Sequence, residues 1–243
     1  MTTYNDVGPA YASHRRPDPR WAAAIDGALG GARRVVNVGA GTGSYEPAAT
    51  AAAVEPAIGM IRERPASAAP CVQAVAEALP FPDQSFDAAL AILTTHHWTD
   101  AAAGYAELRR IAARQVVVTW DPAVFARFWL VRDYLPEIAE RERTLPTLDA
   151  AVAHLHDATV IPLPVPADCT DAVLGAHWQR PEAYLDPERR LASSGLMLLD
   201  PAVADAGIQR LEADLASGEW HRRNAELFDQ SEVDLGYRVV VSG

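Results

Sequence analysis

Three glycines, Gly39, Gly41 and Gly43, alternate with small residues directly after a run of β-branched residues. Glycine lets a backbone turn sharply and approach a ligand closely, so that main-chain N–H groups can reach its polar atoms. The spacing is GxGxG, whereas dinucleotide-binding loops have GxGxxG, whose last glycine would fall on Ser44. The loop therefore predicts a site for a small polar ligand and disfavours a nicotinamide-dependent oxidoreductase.

Two further segments narrow the class of ligand. Glu55 follows the apolar run AAAV, where a carboxylate can accept hydrogen bonds from both hydroxyls of a ribose. Residues 77–87, EALPFPDQSFD, form a loop able to bracket an adenine. Three separate segments thus predict a nucleoside ligand.

Two adjacent histidines, His96 and His97, follow a long apolar segment. Histidine titrates near neutral pH, so either can act as a general base, and His97 is the favoured candidate. The alternative is that the pair and Trp98 only shape a pocket wall. No third ligand stands in register with the histidines, and Cys71 and Cys169 are far apart, so no metal site is predicted.

Aromatic residues and arginines after the fifth predicted strand are candidates for substrate selection. The candidate pocket residues are Trp120, Arg127, Trp129, Trp178 and Arg180. Either arginine can pair with an anionic group of a substrate. The alternative is that these aromatic residues belong to the core, as aromatic residues at helical spacing often do.

The composition excludes several functional classes. The chain of 243 residues contains no lysine, which excludes a Schiff-base or P-loop lysine. A net charge of -11 opposes binding to nucleic-acid phosphates. No apolar stretch approaches the ~18 residues that span a bilayer, and the polar N-terminus does not fit a secretory signal. We therefore expect a cytoplasmic protein that acts on a small molecule, without nucleic-acid or membrane partners.

Strands and helices alternate along the first half of the chain. Predicted strands cover residues 35–38, 51–56, 70–77, 85–95, 115–120, 158–166 and 235–243. Predicted helices cover residues 20–30, an alanine-rich segment after the glycine loop, and residues 57–64 and 100–113, the last with Asp100 as its N-cap. This order predicts a doubly wound α/β fold whose seven-stranded sheet is mainly parallel, with an antiparallel last strand. Ligands of such sheets bind beyond the carboxyl ends of the strands.

We expect one domain over residues 1–243. Within it, residues 1–30 form an N-terminal lid and first helix, 31–121 the cofactor-binding core, 122–229 a helical cap insertion with the sixth strand, and 230–243 the terminal strand.

The segments VVNVGAGTG, AVEP with Met60, and AEALPFPDQSFDAALA resemble the successive motifs of class I S-adenosylmethionine-dependent methyltransferases of the ubiquinone/menaquinone methyltransferase-like group. The resemblance covers roughly residues 33–120. It implies a Rossmann-like methyltransferase fold, S-adenosylmethionine as cofactor and S-adenosylhomocysteine as product. In that family the glycine loop carries the methionine part, the acid matching Glu55 holds the ribose, and the loop at Ala76 and Glu77 flanks the adenine. The implied cofactor-binding residues are Arg15, Asn37, Gly39, Ala40, Gly41, Thr42, Gly43, Glu55, Pro56, Met60, Ala76, Glu77 and Leu93.

Two residues depart from the family pattern. Asn37 stands where relatives usually have an aspartate that supports the loop and the cofactor amine, and an amide accepts a hydrogen bond without a negative charge. Val75 stands where many relatives have an aspartate that contacts the adenine amino group. Glu77 or backbone groups must then serve instead.

The N-terminal segment YNDVGPAYASHRRPDPR resembles the lid of small-molecule methyltransferases. In related enzymes such residues close over the cofactor. The resemblance implies Tyr4 in the substrate pocket, Tyr11 near the reacting atoms, and Arg15 on the methionine carboxylate; the alternative for Arg15 is a solvated side chain. WQRPEAYL, LASGEW and VDLGYR resemble a natural-product subset of these enzymes.

The function that these features predict is methyl transfer from S-adenosylmethionine to a small molecule at O, N or C, by a monomer or homodimer. Such an in-line displacement depends mainly on positioning, and a base is needed only for a protonated nucleophile. Two alternatives stay open. One is a cyclase or aminocarboxypropyl transferase on the same fold, and the other is a non-catalytic module that binds the cofactor.

Overall fold

The structure is a computed structural model and describes residues 16–191 and 193–243. Its strands are β1 (Val35–Val38), β2 (Thr50–Val54), β3 (Cys71–Val72), β4 (Phe86–Ile92), β5 (Ala112–Trp120), β6 (Thr159–Pro162), β7 (Val165–Pro166), β8 (Glu232–Val233) and β9 (Tyr237–Ser242). Seven of them form one sheet in the order β3-β2-β1-β4-β5-β9-β6, and β7 pairs with β8. Strands β1 to β5 are parallel, and β9 lies antiparallel between β5 and β6. The predicted doubly wound sheet with an antiparallel last strand is confirmed.

The α-helices of the described chain are α1 (Pro19–Ala28), α2 (Ile58–Arg62), α3 (Ala101–Ile111), α4 (Pro122–Phe125), α5 (Pro136–Glu142), α6 (Leu148–His154), α7 (Pro187–Leu191), α8 (Ser194–Met197), α9 (Pro201–Ala216) and α10 (Glu219–Arg223). As predicted, Asp100 caps α3, where its carboxylate accepts the Ala103 N–H at 3.0 Å. The region after β5 is helical but broken into short pieces. Proline begins four of its helices, α4, α5, α7 and α9, because its fixed φ suits the first helical turn.

The predicted alanine-rich helix after the glycine loop is wrong. Residues 39–49 form turns between β1 and β2. Gly43 and Tyr45 adopt φ angles of 97° and 59°. A right-handed helix cannot continue through such left-handed residues. Of the alanines that follow the loop, Ala48 and Ala49 lie in a turn, and Ala51, Ala52 and Ala53 fall in β2.

Apolar side chains cover both faces of the sheet. Val116 and Val118 of β5 belong to a core cluster that includes α1 and the residues after β5. Val117 points to the other cluster, which includes α3 and α6. Because successive strand residues point to opposite faces, a continuous valine run such as that of β5 indicates burial on both sides.

No helix in the described ranges is long and apolar enough to cross a membrane.

Candidate functional site

A cavity of about 250 Å³ lies at the carboxyl ends of β1, β2 and β4. The glycine loop, the end of β2 and the segment after β4 each contribute to its wall. This is the edge of a parallel sheet at which ligands bind in doubly wound folds.

Most of the predicted cofactor residues line this cavity. They are Asn37, Gly39, Ala40, Gly41, Thr42, Glu55, Pro56, Met60, Ala76, Glu77 and Leu93, and His97 joins them. Gly43 is not among the lining residues. Tyr4, Tyr11 and Arg15 lie outside the described residues.

Nine lining residues fall outside the predicted cofactor set, although Val75 occupies the position of the relatives' adenine-contacting aspartate and Trp98 was a candidate for a pocket wall. They are Ser44, Tyr45, Ala57, Ala74, Val75, Ile92, Thr94, Trp98 and Thr99. Most of them are immediate neighbours of predicted residues, so a wider window around each motif would have included them. Thr94 directly follows the predicted Leu93, but only the fold places its side chain against Gly39.

Gly39 is held between β2 and the segment after β4. The N–H groups of Gly39 and Ala40 both donate to the carbonyl of Val54, at 2.8 and 2.9 Å. Gly39 has a φ of 72°, and a Cβ at this position would lie 2.0 Å from Oγ1 of Thr94. Glycine is therefore required here both for the backbone conformation and for the close approach of Thr94.

Glu55 joins the end of β2 to the glycine loop. Its Oε2 accepts the Gly41 N–H at 2.8 Å, and its Oε1 accepts the Ala57 N–H at 2.9 Å. A carboxylate has about four lone-pair sites, so acceptor capacity remains on the side chain. Glu55 lines the cavity, where hydroxyl groups of a ligand can use that capacity.

A buried ion pair between Glu46 and Arg64 supports the glycine loop from behind. Arg64 Nη2 lies 2.7 Å from Glu46 Oε2, and the side chains of Arg64 and Glu46 are only 5% and 8% exposed. Arg64 Nη1 also donates to the carbonyl of Gly41 at 3.3 Å, and Glu46 Oε1 accepts the Ala69 N–H at 2.8 Å. We call this arrangement the Glu46–Arg64 clamp. It holds a connection that has no helix of its own.

The clamp also orients Asn37. The Nδ2 group of Asn37 donates to Glu46 Oε2 at 3.3 Å. Among the described residues, the Oδ1 atom of Asn37 is buried without a hydrogen-bond partner. Because a carboxylate can only accept, Glu46 requires the amide nitrogen on its side and leaves Oδ1 as an unused acceptor in a residue that lines the cavity.

Of the two adjacent histidines, one lines the cavity and the other lies behind it. Their ring centroids are 3.7 Å apart, but only His97 lines the cavity. Desolvation lowers the pKa of His97 to about 4, although the residue is exposed. Burial also lowers the pKa of His96 well below its usual value. Both imidazoles are therefore neutral at pH 7.

Three predicted substrate-pocket residues, Trp129, Trp178 and Arg180, pack in the core or bond to backbone carbonyls. Trp129 and Trp178 lie in the core, where Trp129 Nε1 donates to the carbonyl of Trp178 at 2.8 Å. Arg180 Nη2 donates to the carbonyls of Cys169 and Ala176, both at 2.9 Å. None of these three side chains lines the cavity.

The other two predicted pocket residues lie in different environments. Trp120 is buried at the end of β5, where its Nε1 donates to Glu142 Oε2 at 3.0 Å. Arg127 is exposed. Neither residue lines the cavity.

The comparisons with known proteins point to one family. Residues 36–118 match a family model described as a methyltransferase domain. A crystal structure from Anabaena variabilis, described as a methyltransferase from an antibiotic biosynthesis pathway, is 33% identical, and the match covers 95% of this chain and 99% of that chain with a TM-score of 0.87. An uncharacterized methyltransferase of Bacillus subtilis is 31% identical over 135 residues, which are 51% of this chain and 47% of that protein. The chain thus spans about half the length of this curated relative.

Proposed function

Because the chain belongs to the class I S-adenosylmethionine-dependent methyltransferases, we propose that it transfers a methyl group from S-adenosylmethionine to a small-molecule acceptor at O, N or C. The observation that carries this proposal is the single cavity wall formed by the glycine loop, Glu55 and Ala76. The description of the Anabaena relative supports an acceptor from natural-product biosynthesis.

The polar atoms of the cavity fit the parts of this cofactor. The unused Oδ1 of Asn37 can accept a hydrogen bond from the methionine ammonium group. The free lone pairs of Glu55 can accept from the ribose hydroxyls, while Ala76 and Glu77 flank the adenine. The remaining family group, the lid with Tyr4, Tyr11 and Arg15, belongs to this proposal through sequence resemblance alone.

The chemistry that the cofactor supplies is an electrophilic methyl carbon on a sulfonium. The protein contributes mainly by holding the acceptor in line with that carbon, which can supply effective molarities of ~10⁵ M or more. His97 is neutral at pH 7 and can take a proton from a protonated nucleophile. Since its pKa is about 4, it is a weak base, and positioning provides most of the rate.

Product analysis tests the reaction type. The protein is incubated with S-adenosylmethionine and a panel of phenols, amines and acidic carbon compounds, and products are identified by mass spectrometry. An acceptor heavier by one methyl group, together with S-adenosylhomocysteine, supports the proposal. Methylthioadenosine would instead indicate a cyclase or aminocarboxypropyl transferase. Calorimetric binding of the cofactor without any turnover would indicate a binding module.

Substitution of Glu55 tests the assigned ribose contact. We expect Glu55→Ala to weaken S-adenosylhomocysteine binding by ~1.5 to 3 kcal/mol, because a charge-assisted hydrogen-bonded contact is lost. Adenosine should lose a similar amount, since it carries the same ribose. Isothermal titration calorimetry measures both, with exposed Glu63→Ala as the matched control.

A different outcome would reassign Glu55. If Glu55 acts only by holding the Gly41 N–H, S-adenosylhomocysteine should lose much more affinity than adenosine. Unchanged affinity for both ligands would remove Glu55 from the site.

A further inference from the structure

Two side chains beyond the carboxyl ends of β4 and β5 each keep a buried nitrogen without a hydrogen-bond partner in the described part of the chain. These atoms are Nη1 of Arg141 and Nδ1 of His96. The other terminal nitrogen of Arg141, Nη2, donates to the carbonyl of Gly195 at 3.3 Å. Buried polar atoms are nearly always paired, so each of these two nitrogens needs a hydrogen-bond partner that the described residues do not supply.

The two side chains belong to one cluster. Burial lowers the pKa of His96 most, and the charges of His97 and then of Arg141 lower it further. The rings of His96 and Trp120 are 4.8 Å apart, and Trp120 in turn donates to Glu142. We call His96, Trp120, Arg141 and Glu142 the Arg141 cluster. It adjoins the cavity through His97, whose ring packs on that of His96.

The charges of the cluster define the ligand that it can hold. His96 is neutral at pH 7, so Arg141 is its only permanent cation. Glu142 adds partial negative charge, since burial raises its pKa to about 7. A monoanion is therefore matched better than a dianion such as a phosphate monoester. A guanidinium pairs well with a planar carboxylate.

We propose that the methyl acceptor carries a carboxylate and that Arg141 binds it, with Nδ1 of His96 as a second donor. This assignment rests on the proposed function. The candidates expected from the sequence, Arg127 and Arg180, do not fit, since one is exposed and the other is bonded to two carbonyls.

Binding of a simple aromatic carboxylate tests the proposal. Benzoate, its neutral isostere benzamide, and phenyl phosphate are titrated by calorimetry into the full chain, with and without S-adenosylhomocysteine. We expect wild type to bind benzoate roughly tenfold or more tightly than the other two, because only benzoate supplies one matched charge. Equal affinity for benzoate and benzamide, tighter binding of phenyl phosphate, or no benzoate binding would overturn the proposal.

The variant Arg141→Gln assigns the contact to a residue. It should weaken benzoate binding roughly tenfold to a hundredfold and leave benzamide binding unchanged. Arg143→Gln removes an exposed arginine two positions away and should bind benzoate as wild type does. Benzoate binding to Arg141→Gln at wild-type affinity would exclude Arg141. Circular dichroism checks that the variant is folded. If it is not folded, the affinities of wild type for the three ligands still test whether the site prefers a carboxylate.

The same titrations separate this proposal from the proposed function. Failure of S-adenosylhomocysteine to bind would overturn the methyltransferase assignment. The benzoate titration in the absence of S-adenosylhomocysteine would still test whether Arg141 binds a carboxylate. Binding of S-adenosylhomocysteine with no preference for benzoate would retain the function and reject the carboxylate.

Discussion

Glu142 shows how strongly burial changes a single side chain. It is 6% exposed, and its carboxylate has the Trp120 Nε1–H as a partner at 3.0 Å. Burial raises its pKa to about 7, against the opposing effects of Trp120 and Arg141. In the folded protein the protonated form is therefore favoured over a wider pH range than in the unfolded chain.

The free energy of unfolding should depend on pH through this residue. A raised pKa stabilises the fold below pH 4.5, and this contribution is lost as pH rises to about 7. Glu142→Gln keeps the acceptor for Trp120 but cannot ionise. We expect the variant to match wild type near pH 4.5 and to exceed it by up to about 3 kcal/mol at pH 8. Urea unfolding across this range measures the difference, and a constant difference at all pH values would contradict the assignment.

The connection between β1 and β2 depends on the Glu46–Arg64 clamp because it has no helix. The backbone N–H groups of its first residues bond to Val54 and Glu55, and the clamp holds the carbonyl of Gly41 and the side chain of Asn37. A substitution in the clamp should therefore change the conformation of the glycine loop directly.

Removing one partner of the clamp should be costly. Arg64→Met leaves Glu46 as an uncompensated buried charge, so we expect a loss of about 3 to 5 kcal/mol in the free energy of unfolding. The double variant Glu46→Gln, Arg64→Met should recover most of this loss, because no buried charge remains. Urea unfolding measures each variant, with exposed Arg62→Met as control. Losses that simply add in the double variant would show that the two residues do not act as a pair.

At the scale of the whole molecule, aromatic packing joins the region after β5 to one face of the sheet. The rings of Trp129 and Trp220 are 5.0 Å apart, and both side chains belong to the core cluster that contains Val116 and Val118. Trp21 of α1 packs edge-to-face against Tyr237 of β9 in the same cluster. Aromatic packing on this face of the sheet therefore contributes to the stability of the fold.

Truncation of Trp129 should lower the stability of the protein without weakening ligand binding. We expect Trp129→Ala to lower the free energy of unfolding by about 3 to 5 kcal/mol, because it creates a cavity in the core. The affinity of the folded variant for S-adenosylhomocysteine should stay at the wild-type value, since Trp129 does not line the cavity. Phe228→Ala, which truncates a side chain that is 49% exposed, is the control. A stable variant that has lost affinity for S-adenosylhomocysteine would show that Trp129 contributes to the binding site.

The sequence by itself determined the sheet, the strand edge that carries the cavity, and the segments around Gly39, Glu55 and Ala76 that line it. These features are local: hydrophobic patterns and short motifs specify each strand and the loop that follows it. Only the tertiary structure decided that Glu46 pairs with Arg64, that Trp129 and Trp178 are core residues, and that Arg141 keeps a buried nitrogen without a hydrogen-bond partner. Such outcomes depend on which distant side chains meet and which polar atoms are satisfied, and no local pattern in a chain encodes either.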